Sequence, residues 1–267
     1  LSGLEHQLHG EPSTGGKPLR IRNPRGMKRT LVAFFATAMA ASLLALASPA
    51  SAVSPSSPTT NRVSGADRYA TAVAMARSHN VVTSGIVFAS GESTADALAA
   101  SQLASATRPI LLVGKDSVPA SVTDFISDYK STLAANTTTI YFMGGESAIS
   151  AATMASLTTS ITTAGDLTPP TFTRVSGADR YATAAAAAAI ADGQPTTDKM
   201  IIVSGESWAD GVSAGVLASE MGWPVVLQTK NGNNASAKSA IDTYLALPGS
   251  IKQFVIVGGE SAISTDT

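Results

Sequence analysis

The chain has no cysteine, three histidines and only 5% aromatic residues in its 267 positions. Without cysteine there is no disulfide, no thiolate metal site and no thiol nucleophile. His79 is the single histidine after residue 52. One imidazole cannot supply a zinc site of several histidines or a Ser-His-Asp triad in two places. Charged residues are also sparse, at 14%, and the formal net charge of −1 hides an asymmetry. Six of the 18 Lys and Arg residues, but two of the 19 Asp and Glu residues, lie in residues 1–52, which leaves the remainder near −5. Such a body binds nucleic acid or anionic membrane poorly without a dedicated site. Any anion it recognises must be held locally.

The first apolar run has a defined use. Residues 27–52 read MKRTLVAFFATAMAASLLALASPASA. Lys28 and Arg29 form a positive start, Leu31 to Ala47 an apolar middle, and Ala50-Ser51-Ala52 a small-residue cleavage site, so this is a signal peptide cut after Ala52. No later apolar run reaches the roughly 18 residues of a membrane span, so none is expected after signal removal. Residues 1–26 read as a non-structural leader from a start placed too early. Residues 53–61 (VSPSSPTTN) form a Pro/Ser linker.

Two copies of one segment follow. Arg62–Ala72 and Arg174–Ala184 are both Arg-Val-Ser-Gly-Ala-Asp-Arg-Tyr-Ala-Thr-Ala. Further on, Ser90-Gly91-Glu92-Ser93 recurs as Ser204-Gly205-Glu206-Ser207, and Asp96 as Asp210. Pro109 and Lys115 recur as Pro224 and Lys230, and Gly144–Ser150 recurs as Gly258–Ser264. Four motifs in the same order indicate a duplicated module. The organisation read from this is repeat 1 over 62–161, a linker over 162–173 containing Pro169-Pro170, and repeat 2 over 174–267, which stops inside a helix.

Each copy alternates helix and strand. In the first, helices are expected at Arg68–Ser78, Thr94–Ala106, Pro119–Leu133 and Ser147–Ile161. Strands are expected at Gly85–Ser90, Pro109–Val113 and Thr139–Met143, and in the second copy at Met200–Ser204, Pro224–Gln228 and Gln253–Val257. Short, nearly continuous apolar strands between helices predict α/β modules, each a mainly parallel sheet flanked by helices. Alanine buries little surface, so the core must rest on the Val, Ile and Leu runs.

Six arginines follow the signal, and four of them (Arg62, Arg68, Arg174 and Arg180) stand in the opening motif. Guanidinium forks suit phosphate or carboxylate. One reading is therefore a repeated anion site with Asp67 and Asp179 beside it. The other is a structural Arg–Asp pair that fixes the first helix. The turns at Gly91, Gly144-Gly145, Gly205 and Gly258-Gly259 fall between strand and helix. There, backbone N–H groups can meet an anion, or Ser93 and Ser147 can simply cap helices. Glu92 with Asp96, and Glu206 with Asp210, read as capping and surface charge rather than a glycosidase pair. No metal or cofactor is expected.

Together these motifs strongly resemble the cell wall binding repeat 2 family of Gram-positive surface proteins, over Arg62 to Thr267. The resemblance implies tandem toprim-like (Rossmann-like) modules, three of which pack together as a pseudo-threefold unit. It also implies attachment to peptidoglycan-associated wall polymer, anionic and teichoic-acid-like, on the outer surface. The family's I-L-L segment matches Ile110-Leu111-Leu112; the second copy has Val225-Val226-Leu227 instead. The expected function is non-catalytic wall anchoring. Two alternatives stay open: the binding half of a wall amidase, and a surface adhesin or self-assembling layer protein.

Overall fold

Strands form where β-branched and aromatic residues run together, and the structure, a computed structural model, pairs all of them in parallel. It describes residues 60–78, 84–135, 138–162, 169–191, 197–247 and 251–265. The leader, the signal peptide, most of the first linker and His79 lie outside the described residues. In the first copy the order is α1 (Arg68–Ser78), β1 (Val87–Ser90), α2 (Thr94–Ala100), β2 (Ile110–Val113), α3 (Ala120–Ala135), β3 (Thr139–Met143) and α4 (Ala151–Ile161). Then come β4 (Thr171–Val175), α5 (Arg180–Ala191), β5 (Lys199–Ser204), α6 (Trp208–Met221), β6 (Val225–Gln228), α7 (Ala235–Leu245) and β7 (Gln253–Val257).

The strands make two sheets, ordered β2-β1-β3-β4 and β6-β5-β7. Each is parallel and flanked by helices, as the apolar runs require. One feature differs from the sequence reading. Thr171–Val175 begins in the segment read as linker and ends inside the second copy's opening motif, yet it is a strand of the first copy's sheet. It pairs with β3 over Thr139↔Thr171 to Met143↔Val175. Thr, Phe and Val favour extended backbone, and the preceding Pro169-Pro170 cannot continue a helix. The second module thus completes the sheet of the first.

The period-2 alternation of each strand feeds separate cores. On the outer face of the first sheet, Phe88, Leu111, Ile140 and Phe142 pack with Phe125 and Ile126 of α3 and Leu157 of α4. Phe88 and Phe142 stack with centroids 5.3 Å apart. The inner face supplies Val87, Ala89 and Met143 to a core that also contains Ala184, Ile201, Val203, Val225 and Leu227 of the second copy. Alanines matter more here than their size suggests. Ala99, Ala100, Ala184, Ala187, Ala214 and Ala218 are all fully buried where α2, α5 and α6 meet the sheets, and small side chains let these helices approach closely. A third cluster, around Met200, Val226 and Tyr244, sits under α7.

Two helix boundaries differ from expectation. The expected helix Thr94–Ala106 stops at Ala100 and tightens to a 3-10 turn over Ser101–Leu103. Arg108 holds the reversal that follows, with Nε donating to the Ser84 carbonyl and Nη1 to the Leu103 carbonyl. The helix expected from Ser147 starts at Ala151. Ser150 is its cap, accepting the Thr153 N–H.

Candidate functional site

The opening motif folds on itself before it touches anything else. The Asp67 carboxylate accepts the Ala70 N–H at 2.8 Å, and Asp179 accepts that of Ala182 at the same distance. Both are helix caps. The Gly65 N–H donates to the Thr71 hydroxyl, and the Gly177 N–H to that of Thr183. A Cβ on Gly65 would lie 2.4 Å from the Ala70 carbonyl carbon, so this reversal demands glycine.

The motif's arginines reach glycine turns rather than the aspartates. Arg68 Nη1 donates to the Gly91 carbonyl at 2.6 Å, and Arg180 Nη1 to the Gly205 carbonyl at 2.7 Å. Tyr69 and Tyr181 lie against the same two glycines, where a Cβ would meet their rings at 2.4 and 2.5 Å. Arg174 crosses between modules, with Nη1 donating to the Gly144 carbonyl at 2.9 Å. Its Nη2 is buried with no hydrogen-bond partner among the described residues. Arg62, the equivalent of Arg174, is exposed and makes no hydrogen bond among the described residues.

The glycine turns retain few donors for an anion. The Gly91 N–H is taken by the Val113 carbonyl, that of Gly205 by Gln228, and that of Gly144 by Val175. The Glu92 and Glu206 N–H groups go to the buried hydroxyls of Ser90 and Ser204. Gly145 and Gly259 have open space where a Cβ would stand. Within the Ile110-Leu111-Leu112 strand, Leu111 is fully buried, while Ile110 and Leu112 pack against the shared core.

Asp96 lies close to both turns. A Cβ on Gly144, whose φ is +92°, would meet Asp96 Oδ2 at 2.8 Å. Burial pushes the Asp96 carboxyl above its ordinary value of 3.8, partly offset by a hydrogen bond from Ser93 and by the charge of Arg180. The fold therefore favours neutral Asp96. The stability this gives is full below the ordinary value and is lost as pH rises through the folded value. Asp96→Asn should accordingly gain stability over the parent as pH is raised from about 4 to 7. Urea titrations at several pH values check this, and a pH-independent difference would refute it.

A cleft of about 460 Å3 opens between α2 and α6. Arg180, Glu206 and Ser207 line it beside Leu98, Trp208 and Val212. Trp208 is 69% exposed, and Val212 and Val216 follow it at four-residue spacing, 60% and 62% exposed. Sequence reading missed this face, as it missed Gln102. The signal was present: Trp208, Val212 and Val216 occupy the places of Thr94, Leu98 and Gln102, and there the two copies diverge. In the first copy these residues make the joint. A Cβ on Gly211 would meet Leu98 Cδ2 at 2.4 Å. The buried Gln102 amide donates to the Ala184 carbonyl, and its oxygen accepts the Val225 N–H.

The family model described as Cell wall binding domain 2 matches residues 62–154 and 174–267, one match per module. The chain belongs to the cell wall binding domain 2 family. Its modules are wall-binding modules, and its place is the secreted, cell-wall side of the membrane. N-acetylmuramoyl-L-alanine amidase LytC of Bacillus subtilis (strain 168) is 28% identical over 207 residues, 76% of this chain and 37% of LytC. Among solved structures, Cwp8 from Clostridium difficile matches with a TM-score of 0.64 and 25% identity over 90% of this chain and 36% of Cwp8. Cwp6 from the same organism matches with a TM-score of 0.64 and 21% identity over 79% of this chain and 33% of Cwp6. The chain thus spans about a third of each of these relatives. Among the described residues no helix is long and apolar enough to cross a membrane, and no His/Cys/Asp/Glu group could hold a metal.

Proposed function

We propose that this chain is the anchoring part of a Gram-positive surface protein, exported by the signal peptide over 27–52, and that it holds an anionic wall polymer of teichoic-acid type. The observation that carries the reading is Arg180. It lines the cleft between two wall-binding modules of an otherwise acidic body, and its contact with Gly205 uses one guanidinium nitrogen. A guanidinium presents five donors, so one such contact leaves capacity for phosphate or carboxylate. Arg68 makes the same single contact, with the Gly91 carbonyl, in the first module. Asp67 and Asp179 act as caps that orient these arginines, and the Ile110–Leu112 strand supports the cleft wall. No nucleic acid or metal enters this reading.

Mature protein should co-sediment with purified walls, and stripping phosphate-rich polymers from those walls should abolish the binding. Unchanged binding to stripped walls would sink the anionic-ligand reading. Arg68→Lys with Arg180→Lys keeps both charges but loses the planar fork, and should weaken binding about tenfold. The loss should grow with salt if the remaining attraction is charge alone. Circular dichroism separates lost binding from lost fold.

The match to LytC favours a second reading, in which the two modules are the binding half of a wall amidase. Amidase activity in the gene product that carries this chain would support it, with the modules themselves non-catalytic. The exposed face of α6 supports packing of a third repeat onto the second module, within the same chain. The adhesin reading requires self-association without wall binding, and sedimentation equilibrium tests it.

A further inference from the structure

The turn after β6 carries chemistry that wall binding does not use. Asn231 is the one asparagine in the chain that is followed by glycine. It is exposed, and its side chain makes no hydrogen bond among the described residues. The neighbouring asparagines are engaged. Asn233 Oδ1 accepts the Thr229 hydroxyl at 2.8 Å, and Asn234 Oδ1 accepts the Ser236 and Ala237 N–H groups as the cap of α7. Gly232 turns the chain in the left-handed region, with a φ of +66°, and its missing side chain leaves the approach to its nitrogen clear. That nitrogen donates one hydrogen bond, to the Thr229 carbonyl at 3.1 Å. Both ends of the turn are pinned from the core. The buried Gln228 Oε1 accepts the Thr229 and Asn234 N–H groups, each at 2.9 Å. In the first copy the turn over 114–117 holds the same place, and Asp116 is the equivalent of Asn231. Lys115, Asp116 and Ser117 are exposed there although the second module packs alongside. Exposure of this turn therefore belongs to the module itself and survives the docking of a neighbour.

We propose that Asn231 is a site of spontaneous modification, where the folded protein loses ammonia and becomes a mixture of aspartyl and isoaspartyl chain. The Gly232 nitrogen gives up its proton and its hydrogen bond to Thr229, and attacks Asn231 Cγ. A cyclic imide closes, and the side-chain nitrogen leaves with that proton as ammonia. Solvent water then opens either imide bond, its hydroxyl going to the carbonyl carbon and its remaining hydrogen to the nitrogen. No oxidant, metal or enzyme takes part. Opening at the side-chain carbonyl gives aspartate, which the first copy already holds at this place as Asp116. Opening at the backbone carbonyl routes the main chain through the side chain and lengthens it by a methylene. With both ends fixed by Gln228, the lengthened turn loses the Gly232–Thr229 hydrogen bond, and the corner between β6 and α7 loosens.

The test follows the folded chain by peptide mapping during incubation at mildly alkaline pH, beside the same chain unfolded in urea. Asn231 should gain the mass difference between an amide and a carboxylic acid, with Asn233 and Asn234 unchanged. An isoaspartyl methyltransferase should then label the product. Asn231→Gln, whose extra methylene disfavours ring closure, should stay intact. Gly232→Ala should convert at least about tenfold more slowly, because its Cβ crowds the attacking nitrogen. Circular dichroism establishes that both variants fold. A folded chain that keeps Asn231 intact while the urea-unfolded chain converts would overturn the site. Conversion spread evenly over the three asparagines would overturn it too. The loosened corner has its own readout. Hydrogen exchange at the Thr229 and Asn234 N–H groups should be at least about tenfold faster in the isoaspartyl fraction than in Asn231→Asp. Equal exchange would overturn that consequence.

Discussion

Gln102→Leu should cost about 1–3 kcal/mol and split a single unfolding transition into two. The amide is 7% exposed and bridges residues 82 and 123 positions away. Leucine matches its size but removes both hydrogen bonds, leaving the Val225 N–H buried and unpaired, while the Ala184 carbonyl keeps its place in the ladder of α5. Each unsatisfied group costs about 1–3 kcal/mol. The loss falls on the contact between modules, so urea unfolding followed by tryptophan fluorescence should separate from unfolding followed by circular dichroism. Trp208 and Trp223 both report on the second module. Val216→Gln makes the comparison, because that position is 62% exposed and the change should stay within about 0.5 kcal/mol. A Gln102→Leu protein as stable and as cooperative as the parent would show that the joint rests on apolar packing alone.

Phe142→Ala should be the most damaging single substitution in the first sheet, at about 3–5 kcal/mol. Phe142 is fully buried, stacks on Phe88 and lies 6.5 Å from the ring of Phe172. Phe172 belongs to β4, so the change leaves a cavity in the core and also loosens the strand contributed by the second module. The equivalent change, Ile256→Ala, acts on a side chain 49% exposed and should cost about 1 kcal/mol. Chemical denaturation of both variants measures the difference. Similar losses at the two sites would mean that side-chain burial does not set the cost.

Much of this was readable in the residues. The repeat announced the modules, and runs such as Ile110–Val113 and Lys199–Ser204 carried the parallel strands. The caps made by Asp67 and Asp179 are local, each a carboxylate three residues before the N–H it accepts. What escaped was non-local. Thr171–Val175 has strand composition, but its partner, β3, is chosen by tertiary contact. Its last two residues also belong to a motif that otherwise starts the next module. The arginines posed the same difficulty. A guanidinium next to an aspartate in sequence left two readings open, an anion site and an ion pair; in the structure the aspartate accepts a backbone N–H and the arginine reaches a glycine carbonyl 23 or 25 residues away. Ser147 looked like the helix cap, but the turn after Gly144-Gly145 passes the role to Ser150. Gln102 gave one indirect clue, its replacement by valine in the second copy.

The β3–β4 pairing determines how the two modules resist being pulled apart. The two strands run parallel and are matched over five residue pairs. Force directed along β4 therefore acts on the whole ladder in shear, loading its hydrogen bonds together instead of peeling them one at a time. Arg174 adds a cross-tie at the loaded end, where Val175 leaves the sheet. The modules are riveted rather than strung, and tension carried through the chain meets the strongest arrangement a short pair of strands can offer.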